Sequence, residues 1–169
     1  MDLKNKIRNI PDFPIKGIQF KDITTLLKDK DAYKYCIDKI TGHCQNLKID
    51  YIAGIEARGF VIGAPVAYNL NVGFLPVRKK NRLPAEVERI SYQLEYGVNI
   101  LEIHRDAFQK GDQIMVVDDL LATGGTTLAV FKLIEKMKGK VVGADFIIEL
   151  EMLKGREKLK GYEIFSLVK

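Results

Sequence analysis

Apolar residues change their spacing several times along the chain, and each change marks an element. Leu3, Ile7 and Ile10 recur at helical intervals ahead of Pro11, Phe13 and Pro14, which predicts a short N-terminal helix passing into an extended segment. Across 31–47 the positions Tyr33, Ile37, Ile40, Cys44 and Leu47 repeat every third or fourth residue. That spacing predicts an amphipathic helix with Asp29 or Asp31 near its N-cap. Residues 51–55 are a short apolar run, 60–70 read as a buried helix, and 73–77 are a second short run. The segment 79–89 is polar and charged around Pro84 and predicts a loop. Beyond it, 90–94 and 98–103 flank Glu95, Tyr96 and Gly97, the pattern of an antiparallel hairpin. Residues 114–117, 141–148 and 162–168 read as strands, and 126–138 as a helix through Leu128, Phe131, Leu133, Ile134 and Met137. Alternating strands and helices favour an α/β fold, a mostly parallel sheet flanked by helices with right-handed crossovers. Neither a repeat nor a linker interrupts the alternation, so 1–169 is expected to form one domain.

Composition alters this picture in a few places. With 47% hydrophobic residues, 29% charged residues and 5 Pro, collagen-like and low-complexity classes are excluded. The 27 Lys and Arg against 22 Asp and Glu leave +5, a charge that suits phosphate groups without singling out a partner. The uncharged stretch 59–77 approaches the roughly 20 residues of a membrane span. Its glycines, prolines and asparagines instead fit a buried helix followed by a strand. The first residues carry no apolar signal core, and a cytoplasmic location is expected. Cys36 and Cys44 would lie about 12 Å apart along one helix, beyond the roughly 7 Å limit of a disulfide, so both are expected as free thiols. His43 and His104 are far apart in sequence and are expected on a helix surface and a strand surface rather than at a metal.

Chemistry is densest in Ile114-Met115-Val116-Val117-Asp118-Asp119-Leu120-Leu121-Ala122-Thr123-Gly124-Gly125-Thr126-Thr127: a buried strand, two acids, and a small hydroxyl-rich turn opening a helix. In open parallel sheets, ligands sit beyond the carboxyl ends of the strands, and a helix N-terminus offers unpaired N–H groups to an anion. Gly124 and Gly125 let those amides approach a phosphate, and Thr123, Thr126 and Thr127 add hydroxyls. Asp118 and Asp119 repel phosphate and suit sugar hydroxyls or a metal-bound water. Phosphate on one side and ribose on the other means a sugar phosphate. Gly-Gly-Thr by itself also fits an ordinary crossover with a capping Thr. The chain has neither a Gly-Lys-Ser/Thr phosphate loop nor a Gly-x-Gly-x-x-Gly fingerprint.

The whole string resembles the phosphoribosyl pyrophosphate signature of type I phosphoribosyltransferases, in the form found in their adenine-using members. The resemblance extends from about residue 11 to 167. It implies that family's fold: a central, mostly parallel sheet flanked by helices, an antiparallel flap hairpin within a flexible region at about 79–103, and a small N-terminal base-binding segment at about 1–28. It also implies an activity, transfer of the 5-phosphoribosyl group from 5-phosphoribosyl 1-pyrophosphate to adenine, giving AMP and pyrophosphate.

The resemblance assigns residues as well. Phe13-Pro14-Ile15-Lys16-Gly17-Ile18-Gln19-Phe20-Lys21-Asp22-Ile23 is similar to the adenine-pocket segment, in which Phe20 would stack on the purine and the backbone of Gln19 and Lys21 would bond its edge. Tyr51-Ile52-Ala53-Gly54-Ile55-Glu56-Ala57-Arg58-Gly59-Phe60 resembles the pyrophosphate loop, with Arg58 on the leaving group and a cis peptide at Glu56-Ala57. In Arg78-Lys79-Lys80-Asn81-Arg82-Leu83-Pro84, Arg78, Lys79 and Arg82 would surround the same pyrophosphate. In Ser91-Tyr92-Gln93-Leu94-Glu95-Tyr96-Gly97, Glu95 would be the catalytic acid/base and Tyr96 would close over the site. Asp118 and Asp119 would hold the ribose hydroxyls; Ala122, Thr123, Gly124, Gly125 and Thr126 would hold the 5-phosphate. From the segment 148–159, Leu150 would pack on adenine. Magnesium is implied as cofactor, held mainly by substrate phosphates and ribose hydroxyls rather than by protein ligands. A homodimer is implied too, with no nucleic-acid or membrane partner. Lys21 stands where the family commonly has Arg, and Asn81 and Arg82 where it often has Gly and Lys. Two other functions stay open: transfer to another purine base, and a regulator that senses phosphoribosyl pyrophosphate while binding nucleic acid.

Overall fold

The computed structural model describes residues 1–169 except Pro14, Ile15, Ile18, Glu95 and Tyr96, and of Leu94 it describes the backbone alone. A 3-10 turn at Lys4–Lys6 leads into an antiparallel pair, β1 (Arg8–Pro11) and β2 (Gln19–Asp22), with Ile10 opposite Phe20. The expected N-terminal helix is thus a single turn. So short a helix is marginal alone, and pairing with β2 gives residues 8–11 hydrogen bonds that a helix running into Pro11 could not supply. Two helices follow, α1 (Thr24–Leu27) and α2 (Lys30–Cys44), and Asp29 rather than Asp31 caps the second: its side chain accepts from the N–H groups of Asp31 and Ala32.

The remaining elements are β3 (Tyr51–Ile55), α3 (Arg58–Leu70), β4 (Gly73–Lys79), β5 (Val87–Leu94), β6 (Gly97–His104), β7 (Gln113–Leu121), α4 (Gly125–Lys136), β8 (Lys140–Glu149) and β9 (Glu163–Val168). Between β8 and β9 lie two 3-10 turns, Glu151–Leu153 and Gly155–Leu159. Seven strands form one sheet in the order β5-β6-β4-β3-β7-β8-β9. The pairs β3–β4, β3–β7, β7–β8 and β8–β9 are parallel, while β6 runs antiparallel to both β4 and β5. The mostly parallel sheet and the antiparallel hairpin are therefore both present. Several expected boundaries move: α2 ends at Cys44 rather than 47, β5 begins at Val87 rather than 90, and two more shifts fall beside the cavity described below. Strand β4 continues to Lys79 because Arg78 and Lys79 pair with Glu102 and Leu101, which shortens the loop. Strand β7 does not stop at Val117: it carries Asp118 and Asp119 within it, with Asp118 opposite Phe146.

Both faces of the sheet are covered. Along β7, Ile114 and Val116 join the cluster beneath α4 with Phe131, Leu133 and Phe146, while Met115 and Val117 join the cluster beneath α2 and α3 with Ile40, Ile62 and Val66. Alternate residues point to opposite faces of a strand, so a strand covered on both faces reads as an unbroken apolar run. Each such side chain, fully buried, contributes about 1.5–3 kcal/mol. Cys36 and Cys44 are buried free thiols. Among the described residues, no helix is long and apolar enough to cross a membrane.

Candidate active site

The chain leaves β3 through α3 toward β4 on one side, and β7 through α4 toward β8 on the other. The sheet's order therefore reverses between β3 and β7, and such a switch point opens a crevice at the carboxyl ends of the strands. A cavity of about 360 Å³ occupies it, lined by Glu56, Ala57 and Arg58 of the β3–α3 turn, Lys79, Tyr92, Asn99, Asp118, Asp119 and Thr126.

Among the described residues, the two acids are short of partners. The Asp119 backbone N–H donates to Asp118 Oδ1 at 2.9 Å. Arg58 Nε lies 2.8 Å from Asp119 Oδ2 but off the line of a hydrogen bond, so that buried oxygen keeps its lone pairs. One guanidinium thus faces two carboxylates. Burial first, and then the neighbouring Asp119, push Asp118 well above the usual carboxylate range. Burial also raises Asp119, against the opposing pull of Arg58. Gly59 makes this arrangement possible: a Cβ there would stand 2.9 Å from both Asp118 Oδ1 and the Val117 carbonyl oxygen. Without one, the first turn of α3 presses against β7 and brings Arg58 to Asp119.

Among the described residues, two helices open onto the cavity without side-chain caps. Helix α4 starts behind Gly124, whose φ of 76° is left-handed, and α3 starts behind Ala57; neither has a side-chain cap or an acid in its first turn. Their leading N–H groups are therefore free to meet an anion. Thr126 reaches the cavity, where its Oγ1 lies 3.2 Å from the Tyr92 hydroxyl, while Thr127 is buried. Ala122 and Thr123 form the turn between Leu121 and Gly124, and Gly125 is the first residue of α4.

The basic residues divide. Arg58 and Lys79 line the cavity. Arg78 does not: its Nε and Nη2 grip the two carboxylate oxygens of Glu56 at 3.1 and 3.2 Å, and its Nη1 donates to the Arg82 carbonyl at 2.9 Å. Arg82 is exposed on the loop. The Glu56-Ala57 peptide is cis, as the resemblance implied. At the base end, Arg58 Cζ lies 5.4 Å from the centroid of the Phe20 ring, which meets Phe13 edge-on at 5.2 Å. Gln19 is exposed at the head of β2, and Lys21 Nζ donates to Asn9 Oδ1 at 2.6 Å. Lys21 and Leu150 line a second cavity of about 350 Å³. Glu95 and Tyr96 lie outside the described residues.

Sequence reasoning missed three participants. Tyr92 follows Ile90 at the two-residue period of β5, and that signal could have placed it on the inner face. Glu56 and Asn99 give no comparable sign, because their positions depend on partners far along the chain. The histidines lie on the expected helix and strand, but both are half-buried rather than on the surface. His43 is partly buried, bonded through Nδ1 to Asp145 at 3.0 Å and stacked on Phe165, because the fully buried Asp145 needs partners; Cys44 donates to the same oxygen. These three side chains have metal-compatible spacing; both bonds go to Asp145 Oδ2, and among the described residues Asp145 Oδ1 has no partner. His104 lies on β6 with a buried Nε2 that has no partner among the described residues.

With paired acids facing an uncapped helix N-terminus across a switch-point crevice, the chain belongs to the phosphoribosyl transferase family, whose domain matches residues 22–165. Within that family its likeness is to the adenine phosphoribosyltransferases. The chain is 60% identical over 168 residues to the adenine phosphoribosyltransferase of Halothermothrix orenii, covering 99% of each protein. It superposes on the crystal structure of the Thermoanaerobacter pseudethanolicus adenine phosphoribosyltransferase with a TM-score of 0.96 and 54% identity, over 99% of this chain and 98% of that one. The Saccharomyces cerevisiae enzyme, whose structure holds an iminoaltritol bisphosphate and adenine, gives a TM-score of 0.93 and 38% identity, over 98% of this chain and 96% of that one.

Proposed function

We propose that this chain transfers the 5-phosphoribosyl group of 5-phosphoribosyl 1-pyrophosphate to adenine, releasing AMP and pyrophosphate in purine salvage. The observation that carries the reading is the partner-poor pair Asp118 and Asp119, set between the uncapped N-terminus of α4 and Arg58. A ribose bearing phosphate at one end and pyrophosphate at the other is the ligand whose hydroxyls and charges complete that row. The 5-phosphate takes the N–H and hydroxyl groups of Ala122, Thr123, Gly124, Gly125 and Thr126. The 2- and 3-hydroxyls donate to Asp118 and Asp119, and the pyrophosphate meets Arg58 and Lys79. Arg78 contributes by fixing Glu56 and the Arg82 backbone, and Arg82, exposed on the loop, is assigned to the same pyrophosphate.

Adenine is the nucleophile, so the protein's work is to orient it and to stabilise charge as the glycosidic carbon loses pyrophosphate. Phe20 stacks on the purine, Leu150 packs on it, and the backbone of Gln19 and Lys21 reads its edge; the Lys21 ammonium, already engaged by Asn9, is not needed for that contact. Glu95 is assigned as the acid/base group at the base nitrogen, with Tyr96 excluding water. Hard carboxylate oxygens with a free lone pair, as at Asp119, fit the waters of a divalent cation. Magnesium, held mainly by the donor's own phosphates and hydroxyls, supplies charge neutralisation of the departing pyrophosphate. The same reading makes the protein a homodimer, which sedimentation of the purified chain checks, and places it in the cytoplasm, which cell fractionation checks.

The test is nucleotide formation by purified protein given donor, magnesium and, separately, adenine, hypoxanthine or guanine. AMP from adenine alone is expected. IMP or GMP would keep the donor site and overturn the base pocket, and no product despite donor binding would move the protein to the regulators. Glu95→Ala should lower turnover while donor affinity survives; unchanged turnover removes Glu95 from the chemistry.

A further inference from the structure

The loop from Ala122 to Gly125 is not shaped by its own sequence alone. A Cβ on Gly124 would overlap the Gly155 carbonyl oxygen. Conversely, a Cβ on Gly155 would overlap the Ala122 carbonyl oxygen and stand 2.9 Å from Gly124 N. The two glycines therefore lie backbone against backbone, and the turn that opens α4 is moulded on the start of the 3-10 turn Gly155–Leu159. No side chain fits between them.

That backing is itself pinned to the sheet by the next residue. Arg156 Nε and Nη2 grip the two oxygens of Glu149 at the end of β8, the first at 2.9 Å, while Nη1 donates to the Ile164 carbonyl of β9 at 2.7 Å. Ser166 Oγ donates to Glu149 Oε2 at 2.6 Å and closes the node. Glu149 is nearly buried, and the guanidinium beside it holds its carboxyl below the usual range. On the other side, Leu159 is buried in the cluster beneath α4. The segment thus bridges the sheet and the phosphate loop with little freedom of its own.

We propose that Gly155 and Arg156 are positioning residues for the donor's 5-phosphate: Gly155 is the surface on which the 122–125 loop takes its shape, and Arg156 ties that surface to β8 and β9. The proposal rests on the reading that this loop holds the 5-phosphate. An added methyl at residue 155 pushes the Ala122 carbonyl away and turns the loop's N–H groups off the phosphate, leaving the Arg58 end of the cavity in place. Replacing Arg156 by Lys keeps the charge but loses the fork that spans two strands.

Inhibition by ribose 5-phosphate and by pyrophosphate, measured separately on the full chain, reads the two ends of the cavity. Gly155→Ala is expected to raise the ribose 5-phosphate inhibition constant and the donor KM about tenfold or more. Arg156→Lys should raise both about threefold, and in each variant the pyrophosphate constant should stay within about twofold. A general loss of structure would weaken both ligands together, and that result overturns the proposal. Thr126→Ala separates the inference from its foundation. If it weakens ribose 5-phosphate while Gly155→Ala and Arg156→Lys do not, the positioning role is wrong. If Thr126→Ala has no effect, the loop does not hold the phosphate and the parent reading falls with it. Should Gly155→Ala fail to fold, the same split in Arg156→Lys decides.

Discussion

Helices α2 and α4 begin in opposite ways. The first is closed by Asp29, whose carboxylate takes the N–H groups of Asp31 and Ala32 at 3.2 and 3.1 Å, and Asp31 adds a second acid to the first turn. The second begins behind a left-handed glycine with no cap and no acid. The acids divide in the same manner. Glu56 and Glu149 each hold a whole guanidinium fork, whereas Asp118 and Asp119 share Arg58. At α2, and at Glu56 and Glu149, the helix end and the carboxylates are satisfied internally. Among the described residues the N-terminus of α4 and the pair Asp118 and Asp119 are left open, which costs stability in the empty protein and, on the function proposed above, gains affinity for a sugar phosphate.

The most direct way to break the contrast is to give α4 the acid that α2 has. A Cβ on Gly125 would approach only Thr123 Oγ1, at 3.8 Å, so Gly125→Asp has room. A carboxylate in the first turn is favourable to the helix by about 0.3–1 kcal/mol, and loss of a helical glycine adds a similar amount. The same charge stands where the donor's phosphate must go, and like charges brought together cost several kcal/mol. The melting temperature should hold or rise while donor KM climbs about 100-fold or more. A variant that melts no lower yet binds donor normally would show that the N-terminus of α4 is not the phosphate site.

The acid pairs allow a finer test because their signs are opposite. Asp118 has a raised pKa, so the folded chain binds protons that the unfolded chain has released, and stability declines as pH rises from the ordinary carboxylate value through the folded one. Asp118→Asn removes that penalty: the melting temperature at neutral pH should rise, on the order of 2 °C, with the gain shrinking toward pH 4. Donor affinity should fall about tenfold or more with the lost ribose contact. Glu56 is held below its usual range, chiefly by the hydrogen bonds from Arg78, and contributes stability present above the unfolded value and lost as pH falls through the folded one. Glu56→Gln should therefore melt lower at neutral pH, by about 2–4 °C for a loss near 1 kcal/mol, and match the parent in acid. Its donor KM should rise only about threefold, since Arg78 and the Lys79 N–H are loosened rather than removed. Melting curves across pH that move both variants in one direction would erase the distinction.

How much of this could be read in advance depended on the range of the forces involved. The strands and helices of the sheet were legible because apolar period follows burial, and the acid pair with its glycine turn was legible because all of it lies between residues 118 and 126. The extent of β7 was not: acids usually end a buried run, and only pairing of Asp118 with Phe146 on β8 carries the strand past them. Likewise the helix expected through Ile10 gave way to a strand because β2, beyond two prolines, offered it partners. The fates of Arg58 and Arg78, similar in the linear chain, were set by long-range packing, with Gly59 against β7 for one and Glu56 within reach of β4 for the other.

The smallest effect belongs to the N-terminal hairpin, which is satisfied internally yet carries residues of the base end. Arg8 grips Asp22 Oδ2 through Nε at 3.0 Å and through Nη2, and the Thr24 N–H donates to Asp22 Oδ1 at 2.9 Å. Led by the Arg8 bond, these contacts lower the Asp22 carboxyl to about 2. The stability they confer is thus present at neutral pH and lost as pH falls from the ordinary carboxylate value toward that of the folded state. Because the Arg8 side chain is more than half exposed, the pair is worth little to the global fold. Its effect should be local: Arg8→Ala loosens the pairing of β1 with β2, and with it the placement of Gln19, Phe20 and Lys21. Adenine KM is expected to rise about two- to threefold with donor KM unchanged, a change of well under 1 kcal/mol. Equal rises in both constants would mean that the hairpin supports the donor cavity through the Phe20–Arg58 contact rather than the base alone.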